Sequence, residues 1–425
     1  MPEPFSDDAG SVAPGAAGGR VSAAPTTASP AASGPVLAAL FLVALALRPQ
    51  ISAIGPLVPG IIDEFGASHA FVGLLTAIPV LCMGLFALVG PSIAGWFGTR
   101  GGVALSVAVL VASGLLRAFA PGAELVLLAT FGVGLGTALV GPILPMFVRD
   151  RMPERMVGGT SSYAGGTIVG AALGAALAVP LAGAFGGWRG SLLAMSAASA
   201  LCIVAWLVAV HPRAHAAHRR PRSLELPRLP VRRPIVWAIG LLFGLQSWLY
   251  YGTTAWLASI YIERGWDAGS AAVLLSVVSL ASLGAIVVAP AGARRGISRR
   301  TMLTTAAVSS TVGLAGVAML PAPALAWAIF LGAGLGMTFT LLLTLPTDLS
   351  HDPREVGGAA AQMLLVGYLL ASVAPFALGA ARDATGDFGA SVWLLVGIGI
   401  AMVPLSWSLH PSRLGRHVHG GAGAA

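Results

Sequence analysis

A dozen stretches, each near or above the roughly 20 apolar residues that cross a bilayer as a helix, run through this 425-residue chain and leave it few ways to fold. Read with their charge and Pro/Gly punctuation, they fall near 35–60, 70–90, 102–119, 123–148, 157–184 and 188–210. A second set lies near 235–262, 268–291, 300–320, 322–346, 356–380 and 388–410. In hydrocarbon every backbone N–H and C=O needs a partner within the protein, so segments of this length are helices, and Gly and Pro inside them are tolerated. Charged residues make up 9 % of the chain, against about 25 % in soluble domains. Water cannot be its main solvent. The expectation is an all-α integral membrane protein with twelve transmembrane helices in two six-helix bundles.

Basic residues decide how such a chain sits in a bilayer. All 24 are Arg, with no Lys. With the N-terminus placed in the cytoplasm, 19 arginines fall on the cytoplasmic side. Only Arg117, Arg189, Arg264 and Arg382 fall on the other, and Arg48 belongs to neither. This split predicts a multi-pass plasma-membrane protein with both termini inside. It also makes segment 211–234, with seven arginines between Arg213 and Arg233, a cytoplasmic linker between bundles 35–210 and 235–410. Residues 1–34 and 411–425 read as cytoplasmic tails, the first lacking the basic-then-apolar order of a signal peptide. The net charge of +8 therefore points to a lipid bilayer and not to nucleic acid. Cys82 and Cys202 lie inside apolar runs, so no metal site or cofactor is expected.

An internal repeat supports the division. Gly132-Val133-Gly134-Leu135-Gly136 recurs as Gly332-Ala333-Gly334-Leu335-Gly336, an offset of 200. Pro145 is echoed by Pro346, and Pro153 through Gly159 by Pro353 through Gly358. Six spans between copies keep both in one orientation, the arrangement in which a substrate site lies at the interface of the halves.

Arg48 stands near the middle of the first span, and a charge at that depth costs about 2.5–3.5 kcal/mol on insertion scales. Such a residue faces the bundle interior or an aqueous cavity, or is tied to the carbonyls of a helix broken at Pro49. No Asp, Glu, Lys or His lies deep in another span, so the partner of this guanidinium is expected to be the solute. Its planar fork suits a carboxylate-like monoanion. The seventh span carries Gln246, Ser247, Tyr250, Tyr251, Thr253 and Thr254 on two neighbouring faces. From this set Gln246, Tyr250 and Tyr251 are expected opposite Arg48, and Ser52 and Tyr368 complete the candidate site. Gly166, Gly170 and Gly174, with Gly132, Gly134 and Gly136, form small-residue rows that read as sliding seams between the halves or as plain tight packing.

Several segments resemble the major facilitator superfamily, and within it the cyanate permease and 2-nitroimidazole transporter family. They are Leu47-Arg48-Pro49 with Gly55-Pro56-Leu57-Val58-Pro59, Gly73 through Val80, and Gly114-Leu115-Leu116-Arg117. Gly187-Trp188-Arg189, Gln246-Ser247 with Tyr251 and Trp256-Leu257, and Gly367-Tyr368 through Gly386 continue the likeness. The superfamily's loop between spans two and three usually carries an Asp, which Gly90 through Arg100 lacks, so a gating ion pair there is not implied. The resemblance implies a secondary carrier, acting as a monomer, for a small anionic or polar solute, cyanate-like or nitroimidazole-like. A multidrug exporter is the alternative within the superfamily. The spans hold no paired carboxylates, His cluster or activated Ser, which argues against an enzyme. No loop is long enough for a sensor domain.

Overall fold

The computed structural model describes residues 33–211, 228–320, 322–350 and 352–409. Most of the expected tails and of the 211–234 linker lies outside the described residues. The described chain is helical, without a strand among the described residues, and twelve helices are long and apolar enough to cross a bilayer. The first span is assembled from α1 (Ser33–Ala46), α2 (Pro49–Ser52) and α3 (Ile54–Phe65). The rest of the first half is α4 (His69–Phe86), α5 (Gly90–Phe119), α6 (Ala123–Arg151), α7 (Met156–Phe185) and α8 (Trp188–Ala209). The second half comprises α9 (Pro234–Glu263), α10 (Ala268–Arg294), α11 (Arg299–Met319), α12 (Ala324–Thr344), α13 (Pro353–Thr385) and α14 (Gly389–Ser408).

Local chemistry sets the ends of these helices. Ser68, Asp267 and Ser298 precede α4, α10 and α11, and each side chain accepts a backbone N–H of the first turn. Gly66, Gly186 and Gly386 end α3, α7 and α13 in the left-handed conformation that suits Gly. One boundary differs from expectation. α5 starts at Gly90, not near 102, because residues 90–97 form a helical arm that turns at Gly98 (φ 70°, ψ 163°). That conformation penalises any residue with a Cβ, and the arm's low hydropathy hides its helical character.

The helices alternate in direction. The end at which residues 33, 211, 228 and 409 lie is called the terminal end below, and the opposite one the distal end. A single apolar cluster joins the halves, and the residues the first half contributes to it (Ile54, Leu57, Val58, Val72 and Trp188 among them) lie toward the distal end. At the terminal end the first half keeps a separate core around Leu40, Val103, Phe147 and Trp206. The halves are thus packed together distally.

The internal repeat survives as paired contacts. Ser191 Oγ donates to the Ala178 carbonyl at 2.9 Å, and 200 positions later Ser391 Oγ donates to the Leu378 carbonyl at 2.8 Å. The glycine clusters do not superpose at that offset. Gly134 faces α4 while Gly132 and Gly136 face α5, whereas Gly334 faces α11 and its two neighbours face α10. Equivalent faces therefore differ by about two residues in α6 and α12, which the contiguous motif conceals.

Candidate functional site

Arg48 is positioned by a defect in its own helix. Pro49 lacks an N–H and its ring displaces the carbonyl four residues back, so α1 stops at Ala46 and Arg48 caps α2. From there Arg48 Nη1 donates to the Tyr251 hydroxyl at 3.0 Å, reaching from the first half to α9 of the second. Tyr251 Oη in turn lies 3.5 Å from the Met83 sulfur on α4. Tyr250 stands edge-on to Tyr251 with centroids 5.1 Å apart, and Tyr368 from α13 lies 6.3 Å from Tyr251 and 5.2 Å from Phe243. The charge of Arg48 acts on all three phenols and, among the described residues, on no carboxylate. One fixed cation thus faces a wall of neutral aromatic rings between the halves.

Four of the six residues expected at this site, Arg48, Tyr250, Tyr251 and Tyr368, come together. Gln246 does not join them: its Nε2 donates to the Leu335 carbonyl at 3.2 Å and its Oε1 accepts from Ser247 at 3.1 Å. Both ends of the amide are occupied, and the Nε2 end clasps α9 to α12. Ser52 returns its hydroxyl to the Arg48 carbonyl at 3.2 Å, and its Oγ lies against Gly174 of α7. It braces the break instead of facing the aromatic wall.

The six expected seam glycines all pack inside the first half. Gly166, Gly170 and Gly174 lie against Phe41, Leu45 and Pro49 of the first span, and Gly132, Gly134 and Gly136 against α4 and α5. They are not seams between the halves. That role falls to Gly55, Gly73 and Gly84, where an added Cβ would meet Thr254 of α9, Pro375 of α13 and Tyr368 of α13.

A buried polar layer next to the break was not anticipated. Arg117, counted among the topology-setting charges by its place in the chain, is fully buried in the last turn of α5. Its Nη2 donates to the Gln50 carbonyl at 2.7 Å and to the Gln50 side-chain oxygen. Gln50 Nε2 passes the network on to Ser196 Oγ at 2.8 Å and the Leu192 carbonyl at 3.2 Å on α8. Arg117 Nε and Nη1 have no partner among the described residues. Gly114, three residues before Arg117 and on the same face, leaves room for Gln50 and Ser196. That spacing was the available signal.

At the distal end the second half caps a helix of the first. Asp383 of α13 accepts from the backbone N–H of His69 at 3.1 Å, the N–H of Ala70 at 2.8 Å and His69 Nδ1 at 2.8 Å. The His69 ring packs against Trp256 and Phe388. Each half also carries its own distal ion pair, Arg189 with Glu64 at 2.6 Å and Arg382 with Glu263 at 3.3 Å. Hydrogen bonds from Arg189, aided by one from Trp188, hold the Glu64 carboxyl below its usual range.

Comparison with known proteins matches this sequence to a family. The Major Facilitator Superfamily model matches residues 40–375. The chain is 30 % identical over 355 residues to the cyanate transport protein CynX of Escherichia coli (strain K12), covering 83 % of this chain and 91 % of that protein. It is 28 % identical over 384 residues to the 2-nitroimidazole transporter of the same organism, covering 90 % and 95 %. Among solved structures, a bacterial homolog of the human lysosomal transporter Spinster, inward-facing and occupied, superposes with TM-score 0.72 at 17 % identity, covering 91 % and 98 %. A D-xylose-proton symporter does so with TM-score 0.71 at 15 % identity, covering 88 % and 97 %.

Proposed function

The chain belongs to the major facilitator superfamily, and we propose that it carries a small, planar or polar monoanion across the plasma membrane by alternating access, with Arg48 as the charged group that holds the solute. The observation that carries this reading is the bond from Arg48 to Tyr251. It joins the halves at mid-span through a permanent cation that has a neutral partner and, among the described residues, no carboxylate. A buried guanidinium left unpaired is costly, and an anion seated between it and the rings of Tyr250, Tyr251 and Tyr368 removes that cost. A guanidinium fork and flat aromatic walls select planar solutes. The names of the two Escherichia coli relatives, a cyanate transport protein and a 2-nitroimidazole transporter, describe solutes of that shape. The arginine distribution supports cytoplasmic termini. The apolar cluster that joins the halves lies toward the distal end, while at mid-span they meet through polar and aromatic contacts, an arrangement suited to rocking about a central site.

Uptake of labelled cyanate and of 2-nitroimidazole into proteoliposomes preloaded with the same unlabelled solute tests the assignment. Wild-type protein takes up at least one of them, and Arg48→Gln abolishes that uptake while eluting as a folded monomer. Undiminished uptake by Arg48→Gln removes Arg48 from the site. A wild-type protein that moves neither solute, yet clears lipophilic drugs from vesicles, makes it a multidrug exporter instead.

A further inference from the structure

Resting on Arg48 as the solute-binding group, we propose that the protein is an obligatory exchanger: it changes orientation only with a monoanion on Arg48, and so trades one anion for another without a coupling proton. The argument begins with what can discharge the site. Guanidinium stays protonated at any physiological pH, and the groups its charge acts on are the phenols of Tyr250, Tyr251 and Tyr368. The described carboxylates, Asp63, Glu64, Glu263 and Asp383 among them, sit in end turns or connections. Among the described residues no carboxylate or imidazole therefore lies at mid-span to cancel the Arg48 charge by exchanging a proton.

The position of Arg48 across the halves turns this into a kinetic statement. Its hydrogen-bond partner Tyr251 is in the other half, so reorientation must break or remake that contact while the site is sealed from water on both sides. Arg117 provides the contrast. Its partner Gln50, and beyond it Ser196 and Leu192, all belong to the first half, so that buried charge travels with its surroundings unchanged. Without solute the carrier must seal a net positive charge in low dielectric, while with a monoanion it seals a neutral pair, which costs far less. The loaded form crosses and the unloaded form stays. One anion enters as one leaves, so charge and protons balance without a further co-reactant.

The test separates this proposal from the identity of the solute. Met83 touches Tyr251 on the path between the halves, and Met83→Cys in a Cys82→Ala, Cys202→Ala background places a thiol there. In sulfate buffer without cyanate, a membrane-impermeant maleimide is applied from either face of oriented vesicles. Labelling is expected from one face only. Adding Arg48→Gln, which removes the charge, raises the rate from the opposite face at least about tenfold, equivalent to ~1.4 kcal/mol in the barrier. Equal rates at each face with and without Arg48, including no labelling in both, overturn the proposal. In a second arm, external cyanate accelerates efflux of labelled cyanate at least about tenfold over efflux into sulfate. Equal efflux overturns exchange. Failure to carry cyanate at all counts against cyanate as solute and leaves the maleimide result to decide on exchange.

Discussion

Arg48, half-buried, and Arg117, fully buried, are both cations set within the first half, and they differ also in their partners. Arg48 reaches out to a hydroxyl on the other half, while Arg117 folds back on a glutamine of its own. Arg117 thereby holds the chain at the interruption between α2 and α3, where carbonyls run out of helical partners, and so holds the break that aims Arg48. Removing the side-chain oxygen of Gln50 strips Arg117 of one acceptor in a fully buried site. Gln50→Leu is therefore expected to destabilise the protein by about 1–3 kcal/mol, read as a lower midpoint in thermal unfolding in detergent. It is also expected to raise KM for the carried anion more than it lowers the maximal rate, because the site is misaimed and not discharged. An unchanged KM would confine the Gln50–Arg117 pair to stability alone. The depth of Arg48 was legible in the chain, since a charge within an apolar run has few explanations. The burial of Arg117 was not, because two residues from a helix end a side chain can turn either way.

Among the elements, the contact of α4 with α13 bears most on motion between the halves. Asp383 supplies α4 with a second acceptor at its N-terminus besides Ser68, and caps of this kind are worth about 0.5–2 kcal/mol. Because the cap comes from the other half, it stabilises the distally closed arrangement more than the helix itself. Asp383→Ala should shift spin-label distances between Ala184→Cys and Ala384→Cys toward longer values while thermal stability changes little; an unaltered distance distribution would show the cap to be ornamental. The Glu64–Arg189 pair behaves differently, since both partners lie in one half. The folded carboxyl is held below the usual carboxylate pKa. Its stabilisation is thus fully present above the unfolded value, about 4.3, and is lost as pH falls through the lower folded value. Wild type and Glu64→Gln should accordingly differ in stability at pH 7 and converge in acid, below about pH 4. A constant difference down to pH 3 would assign the effect to packing.

At the scale of the whole molecule, twelve spans, two halves and the deep cation follow from the chain by itself. The reason is physical: hydrocarbon forces helices of fixed length, a buried charge has to be explained by position alone, and a duplicated half leaves duplicated motifs. What only the tertiary structure decided is which faces meet. The offset of 200 holds at Ser191 and Ser391 yet turns the glycine clusters of α6 and α12 to different neighbours. The rows that looked like seams lie inside one half, and the true seam runs through Gly55, Gly73 and Gly84. Gln246 and Tyr251 sit little more than one turn apart on α9, and one clasps α12 while the other meets Arg48. In water, the polar face of a helix marks its outside. In a bilayer core most faces are apolar and the helices meet through small residues and lone polar groups, so a face is assigned only by the neighbour it finds.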